Sequence, residues 1–180
     1  MTTRNKTRYA ILGALSHGPR SGYDIKKFLE DNVGYFWSES YAQIYPMLKK
    51  LVVEESAHYK GDEHIGGRAR SMYEITDKGQ AELKDWLQSS TSLPQYRIEI
   101  LLKLFFGWNA DKKVSIENIK DIKAQTLMLQ REYERDMKRI DSEKTESNVY
   151  PYWLSALNYT KATIDAQLIW CDETLALLED

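Results

Sequence analysis

The chain has 180 residues and 25 Lys and Arg against 27 Asp and Glu, a formal net charge of −2, so it carries no general basic coat for nucleic acid. Its one cysteine excludes an internal disulfide, and no apolar run approaches the roughly 20 residues of a membrane span. Met1 to Arg8 is polar and runs straight into fold-forming sequence, so no signal peptide is expected and the expected location is cytoplasmic.

The charge is uneven. Residues 1–90 hold 13 Lys and Arg against 12 Asp and Glu, and residues 91–180 hold 12 against 15. Attraction to DNA would have to come from local groups: Arg4, Lys6 and Arg8, then Lys49 and Lys50, then Arg68 and Arg70. Ile11, Leu12 and Leu15 give a first apolar helical stripe, ended by the breaker run SHGPRS. Ser21 and Asp24 form an S-x-x-D start signal, and Ile25, Phe28 and Leu29 supply the buried face of a second helix. A turn with Gly34, Tyr35, Phe36 and Trp37 follows.

SYAQIYPMLKKLVVE, from Ser40, reads as a third helix over about 40–53. Ile44, Leu48 and Leu51 are buried by spacing, while Tyr41, Gln43, Lys49 and Lys50 face solvent. Ser40 and Gln43 fit a capping box. Pro46 lacks an N–H, which predicts a late start or a bend there. Ala57–Lys60 and Ser71–Ile75 are strand-like runs joined by the loop GDEHIGGRAR, which makes residues 57–75 a hairpin with two arginines at its tip. Two helices with a short connection, followed by a basic wing, are what a DNA-binding winged helix needs. Ser40, Tyr41, Gln43, Lys49 and Lys50 are the candidate groove-facing residues. Arg68 and Arg70 are the candidate wing contacts, to backbone or minor groove, and Arg4 and Lys6 are a candidate basic tail. The competing reading pairs the wing arginines with Glu63, Asp62 or Glu74 on the surface.

SSTSLP, from Ser89 to Pro94, reads as a linker and fresh helix start, with Ser92 and Gln95 as its box. Ile98, Leu101, Leu102 and Phe105 make an apolar helix ending near Gly107. A long helix from about Ser115 to Ile140 carries Ile119, Ile122, Leu129, Tyr133, Met137 and Ile140, and KTESNVYP breaks it. The last helix carries Trp153, Leu157, Ile164, Leu168, Leu175 and Leu178. These two helices read as an antiparallel hairpin. Tyr150, Tyr152, Trp153, Tyr159 and Trp170 exceed what a two-helix seam requires, which favours a homodimer. Its expected interface is Ile122, Leu129, Tyr133, Trp153, Leu157, Ile164, Leu168 and Leu175. Cys171, on the same stripe, is expected simply to pack.

Nothing points to an enzyme. His17, His58 and His64 are scattered, with no metal-ligand spacing, and no phosphate loop, nucleophile elbow or dinucleotide fingerprint occurs. No cofactor is expected. The expected fold is mostly α with a small β-hairpin: a winged helix-turn-helix over 1–90 and a dimerisation domain of long antiparallel helices over 91–180. The expected function is sequence-specific regulation of transcription as a homodimer on double-stranded DNA. The alternative is a protein-interaction module whose winged helix no longer binds DNA, for which two arginines at the wing tip would have no use.

The blocks ILGALSHGPRSGYDIKKFL, FWSESYAQIYPMLKKL and GRARSMYEITDKG, in this order and spacing, resemble the PadR-like family of bacterial transcriptional regulators. GYFWSESYAQIYPMLKKL with a long helical second half is most similar to the virulence-activator (AphA-like) branch. Pro46 stands where that family itself carries a proline. Ser56, Ala57 and His58 depart from its usual glycine and aliphatic residues, and Ala69 from a common proline. The resemblance implies that the C-terminal helices build the homodimer. It also implies that some members bind small aromatic effectors between the two domains. Trp86, Phe106 and Trp108 are the residues here that could line such a pocket, although core packing is the expectation for them.

Overall fold

The computed structural model describes residues 5–65, 68–91, 93–142 and 149–179. Arg4 and Ser92 lie outside the described residues, as do the side chains of Arg68 and Ile140. The chain divides into two compact units, Met1–Leu93 and Pro94–Asp180.

The first unit runs α1 (Lys6–Leu15), β1 (Arg20–Ser21), α2 (Gly22–Val33), α3 (Tyr41–Val53), β2 (Ala57–Ile65), β3 (Arg68–Ile75) and α4 (Asp77–Gln88). Each helix start has a chemical cause. Asn5 caps α1 by accepting the Thr7 N–H, and Ser21 and Asp24 close a reciprocal box on α2. Thr76 caps α4 through the Gly79 N–H at 3.0 Å. Ile11, Leu12 and Leu15 of α1 meet Ile25 and Leu29 of α2 and Ile44, Leu48 and Leu51 of α3 in one buried core. Leu83 and Trp86 of α4 pack against it, and Trp86 stacks on Tyr9 at 4.7 Å.

The late start allowed for at Pro46 does not occur, and the hairpin strands run longer than expected. Helix α3 begins at Tyr41 and continues through Pro46. Proline costs only the bond to the Ala42 carbonyl, and both residues are exposed, so water can satisfy that oxygen. The hairpin is also longer than its apolar runs: β2 and β3 pair antiparallel from Ala57↔Ile75 out to Ile65↔Arg68. The polar GDEHI stretch is therefore ladder, not loop. Lys60 is bulged between the pairs Tyr59↔Tyr73 and Gly61↔Met72, and Gly61 takes the positive φ of 107° that this kink requires. Strand β1 adds to the far edge of β3, giving the order β1-β3-β2.

The second unit holds α5 (Glu99–Phe105), a 3-10 turn (Gly107–Asn109), α6 (Lys112–Ser142) and α7 (Tyr150–Glu179). Helix α5 starts at Glu99, later than the Ser92 signal implied. Pro94 biases Leu93 toward extended backbone, and the Tyr96 hydroxyl lies 2.7 Å from that of Tyr159 on α7. Helices α6 and α7 are antiparallel, joined by the ion pairs Lys120–Glu179 (2.9 Å) and Lys123–Asp172. Their buried seam is Ile119, Thr126 and Tyr133 against Leu157, Thr160, Ile164 and Cys171. Ile119, Thr126 and Tyr133, like Leu157, Ile164 and Cys171, are spaced by sevens, with Thr160 between Leu157 and Ile164; this is the repeat of a left-handed supercoiled seam. Burial pushes the Cys171 thiol above its ordinary value, as suits a packing residue. Among the described residues no helix is long and apolar enough to cross a membrane.

Candidate nucleic-acid interface

The start of α3 is anchored from below. Glu39 is buried and accepts hydrogen bonds from the Thr7 hydroxyl and the Trp37 indole N–H, each at 3.0 Å. Thr7 follows Lys6, so this clamp also sets the Lys6 end of α1 beside the N-terminus of α3. One residue on, the Ser40 N–H (2.9 Å) and Oγ (2.8 Å) both donate to Gln43 Oε1. Gln43 thus caps its own helix while remaining exposed. Tyr41, Lys49 and Lys50 are exposed with it, and Lys50 lies 3.8 Å from Glu54 one turn later.

Four residues not anticipated from the sequence complete this face: Tyr23, Asp24, Lys26 and Tyr45. Tyr41 stacks between Tyr23 of α2 (6.4 Å) and Tyr45 of its own helix (6.0 Å). The Lys26 ammonium sits 5.4 Å from the Tyr41 ring. Gly22 makes the approach possible: a Cβ there would lie 2.5 Å from the Tyr45 ring. The i, i+4 spacing of Tyr41 and Tyr45 was the available signal. Their stacking with Tyr23 depends on a helix crossing that spacing alone does not reveal.

The ion pair of Arg70 differs from the surface pairs of the competing reading. Arg70 pairs with Asp24 of α2 at 2.6 Å, and its guanidinium carbon lies 4.4 Å from the Tyr23 ring centroid. Glu74 instead takes Lys60 at 2.9 Å, and Asp62 takes the Ser71 hydroxyl at 2.7 Å. The Ser71 hydroxyl, and after it Tyr59, hold the Asp62 carboxyl below its ordinary range. Asp62 and Glu74 on the hairpin are thus occupied, and Arg70 crosses to the neighbouring helix.

Arg8 is a correction as well. It is not a free tail cation: it binds Glu82 and Glu54 and donates to Ser56 at 2.9 Å. Among the aromatic pocket candidates, Trp86 does pack on the core. Phe106 and Trp108 do not: they are exposed in the second unit, clustered with Phe105. Of the expected dimer residues, Tyr133, Leu157 and Ile164 are already buried in the hairpin of one chain. Ile122, Leu129, Leu168 and Leu175 are half-buried, and Trp153 is exposed. No residue of helix α5 is fully buried; Ile100 and Leu104 are half-buried, while Leu101, Leu102 and Phe105 are open.

Residues 11–85 match the family described as Transcriptional regulator PadR-like, and residues 96–179 match Virulence activator alpha C-term. The Negative transcriptional regulator PadR of Bacillus subtilis (strain 168) is 31% identical over 180 aligned residues, covering 96% of this chain and 97% of its own. Bacillus subtilis PadR in complex with operator DNA superposes with a TM-score of 0.84 at 27% identity, over 97% of this chain and 99% of that one. The same relative in complex with p-coumaric acid gives 0.79 at 26%, over 98% and 100%. The Vibrio cholerae virulence activator AphA shares the fold, with a TM-score of 0.74 at 23% identity over 96% and 98%. With a relative of that identity along nearly its whole length, and a winged helix followed by a long-helix unit, the chain belongs to the PadR-like family of transcriptional regulators, a family that is not enzymatic.

Proposed function

We propose that the protein binds operator DNA sequence-specifically as a homodimer, with α3 in the major groove and the β2–β3 wing on the backbone or in the minor groove. The observation that carries this is the exposed face of α3. Tyr41, Gln43, Lys49 and Lys50 project from a helix whose opposite side is locked into the core, which is how a recognition helix is presented. Ser40 begins that helix and Lys6 stands beside its start. Arg68 and Arg4 would add contacts from the wing and the tail. The operator complex of Bacillus subtilis PadR supports the same partner, and such a partner implies a cytoplasmic site of action.

For the dimer, the supporting observation is unspent apolar surface. Leu101, Leu102 and Phe105 on α5, with Trp153 and Tyr159 on α7, are all exposed in the single chain. A second copy would bury them, as the cores of homodimer interfaces bury such residues. The complex of the Bacillus subtilis relative with p-coumaric acid supports a small aromatic effector for this chain too.

Gel shift on the DNA upstream of the protein's own gene, against a scrambled duplex of equal length, tests the reading. A shift of the upstream duplex that survives excess scrambled competitor is expected. Equal competition by both duplexes would leave a non-specific binder, and no shift on either would remove DNA as the partner.

A further inference from the structure

Arg70 stands in the wing, where a cation is most easily taken for a phosphate ligand, yet its charge and its flat face are both in use. Nη1 is 2.6 Å from Asp24 Oδ1, and the guanidinium lies over Tyr23. Asp24 is committed in turn: its Oδ2 accepts the Ser21 N–H (3.3 Å) and Oγ (2.5 Å) in the box that starts α2. Ser21 is also the β1 residue that pairs with Met72, two residues along β3 from Arg70. From Tyr23 the stack continues through Tyr41 to Tyr45. One connected set of side chains therefore runs from the wing across the N-terminus of α2 to the exposed face of α3.

Resting on the reading of α3 and the wing as the DNA face, we infer that Arg70 is a positioning residue: it fixes the wing against α2 and the recognition helix and does not contact phosphate. An arginine suits this task because its planar guanidinium can pair edge-on with a carboxylate while stacking on a ring, which a lysine ammonium cannot do in one geometry. Releasing Arg70 to a phosphate would leave Asp24, an anion, uncompensated at the DNA surface. The alternative, an arginine held in reserve for phosphate, predicts the opposite sign for loss of Asp24.

The test uses the full chain with Arg70→Ala, Arg70→Lys, Asp24→Asn and the Asp24→Asn/Arg70→Ala double variant, on the upstream duplex and the scrambled one. Asp24→Asn keeps one acceptor oxygen for the Ser21 cap and turns the group facing Arg70 into an NH2 donor, so it removes both the charge and that hydrogen bond. The strut predicts that Arg70→Ala and Asp24→Asn each weaken specific binding about three- to tenfold, with the slope of log K against log salt unchanged. It also predicts that the double variant is no worse than Arg70→Ala, since both remove one interaction, and that Arg70→Lys does not restore affinity. A slope reduced by about 1.8 in Arg70→Ala, from two copies at about 0.9 each, together with tighter binding by Asp24→Asn, would overturn it. Amide exchange in the free protein decides the matter independently of DNA. Arg70→Ala and Asp24→Asn should both speed exchange in β2 and β3 while α1 stays protected, and unchanged hairpin protection would sink the strut. If the wild type binds neither duplex, the DNA reading fails while this second measurement still decides the role of Arg70.

Discussion

Gln43 is asked to do two things with one amide. Its Oε1 already accepts from the Ser40 N–H and Oγ, while pairing with adenine needs that oxygen as acceptor and the NH2 as donor. The two uses are reconciled if the Ser40 hydroxyl, a free rotor, turns away and the N–H bond stays. Gln43→Glu separates them, because a carboxylate keeps the cap and cannot donate to adenine N7. We expect Gln43→Glu to keep the wild-type Tm and lose about 1–3 kcal/mol of operator affinity, with a smaller loss on random DNA. Gln43→Ala should lose the cap as well, about 0.5–2 kcal/mol of stability. Equal weakening on both duplexes by Gln43→Glu would show that it acts through its charge, not by reading a base.

The elements of the first unit are tied together by one charged node. Arg8 on α1 reaches Glu82 on α4, Glu54 at the end of α3 and Ser56 leading into β2. Burial alone would raise the Glu82 carboxyl, but the hydrogen bonds from Arg8 and Ser56 and the Arg8 charge bring it below its ordinary 4.5. The folded value is the depressed one, so the unfolded chain binds the proton first as pH falls. The stabilisation is therefore complete above pH 4.5 and is lost as pH drops through the folded value. Glu82→Gln should flatten the acid limb of the stability curve below about pH 5 without changing its slope at neutral pH. Amide exchange in α1 and α4 against pH reads this directly, and an acid limb as steep as in the wild type would place the titration elsewhere.

Legibility in the sequence followed the range of the interaction. Helices α1 to α3 were readable because Ile11, Leu15, Ile25, Leu29, Ile44 and Leu48 repeat at helical spacing behind local caps. Helix α4 was not, since only Leu83 and Trp86 mark its buried face and most of its residues are exposed. The wing's span was legible, but its strands were read too short because GDEHI is polar, although a two-stranded ladder is held by backbone pairing even where both faces are wet. Tyr41, Gln43, Lys49 and Lys50 could be placed on the exposed face from spacing alone. The engagement of Arg70 by Asp24 could not, because 46 residues separate them in sequence. Neither could the fate of Leu157 and Ile164, since a stripe shows that a face is buried but not whether its partner lies in the same chain.

At the scale of the whole molecule, the account depends on two copies presenting two recognition helices. Leu102 on α5 is 61% exposed, so Leu102→Glu should leave the single chain folded and prevent association. Leu168 is a poorer probe, because it is half-buried in the hairpin and a charge there would also disturb folding. The most direct measurement is light scattering on the protein–operator complex combined with a hydroxyl-radical footprint of the same duplex. The account predicts two chains per duplex and two protected half-sites about 34 Å apart, with Leu102→Glu monomeric and leaving no paired footprint. A single chain on one half-site, or an undiminished dimer in folded Leu102→Glu with both half-sites still protected, would contradict it.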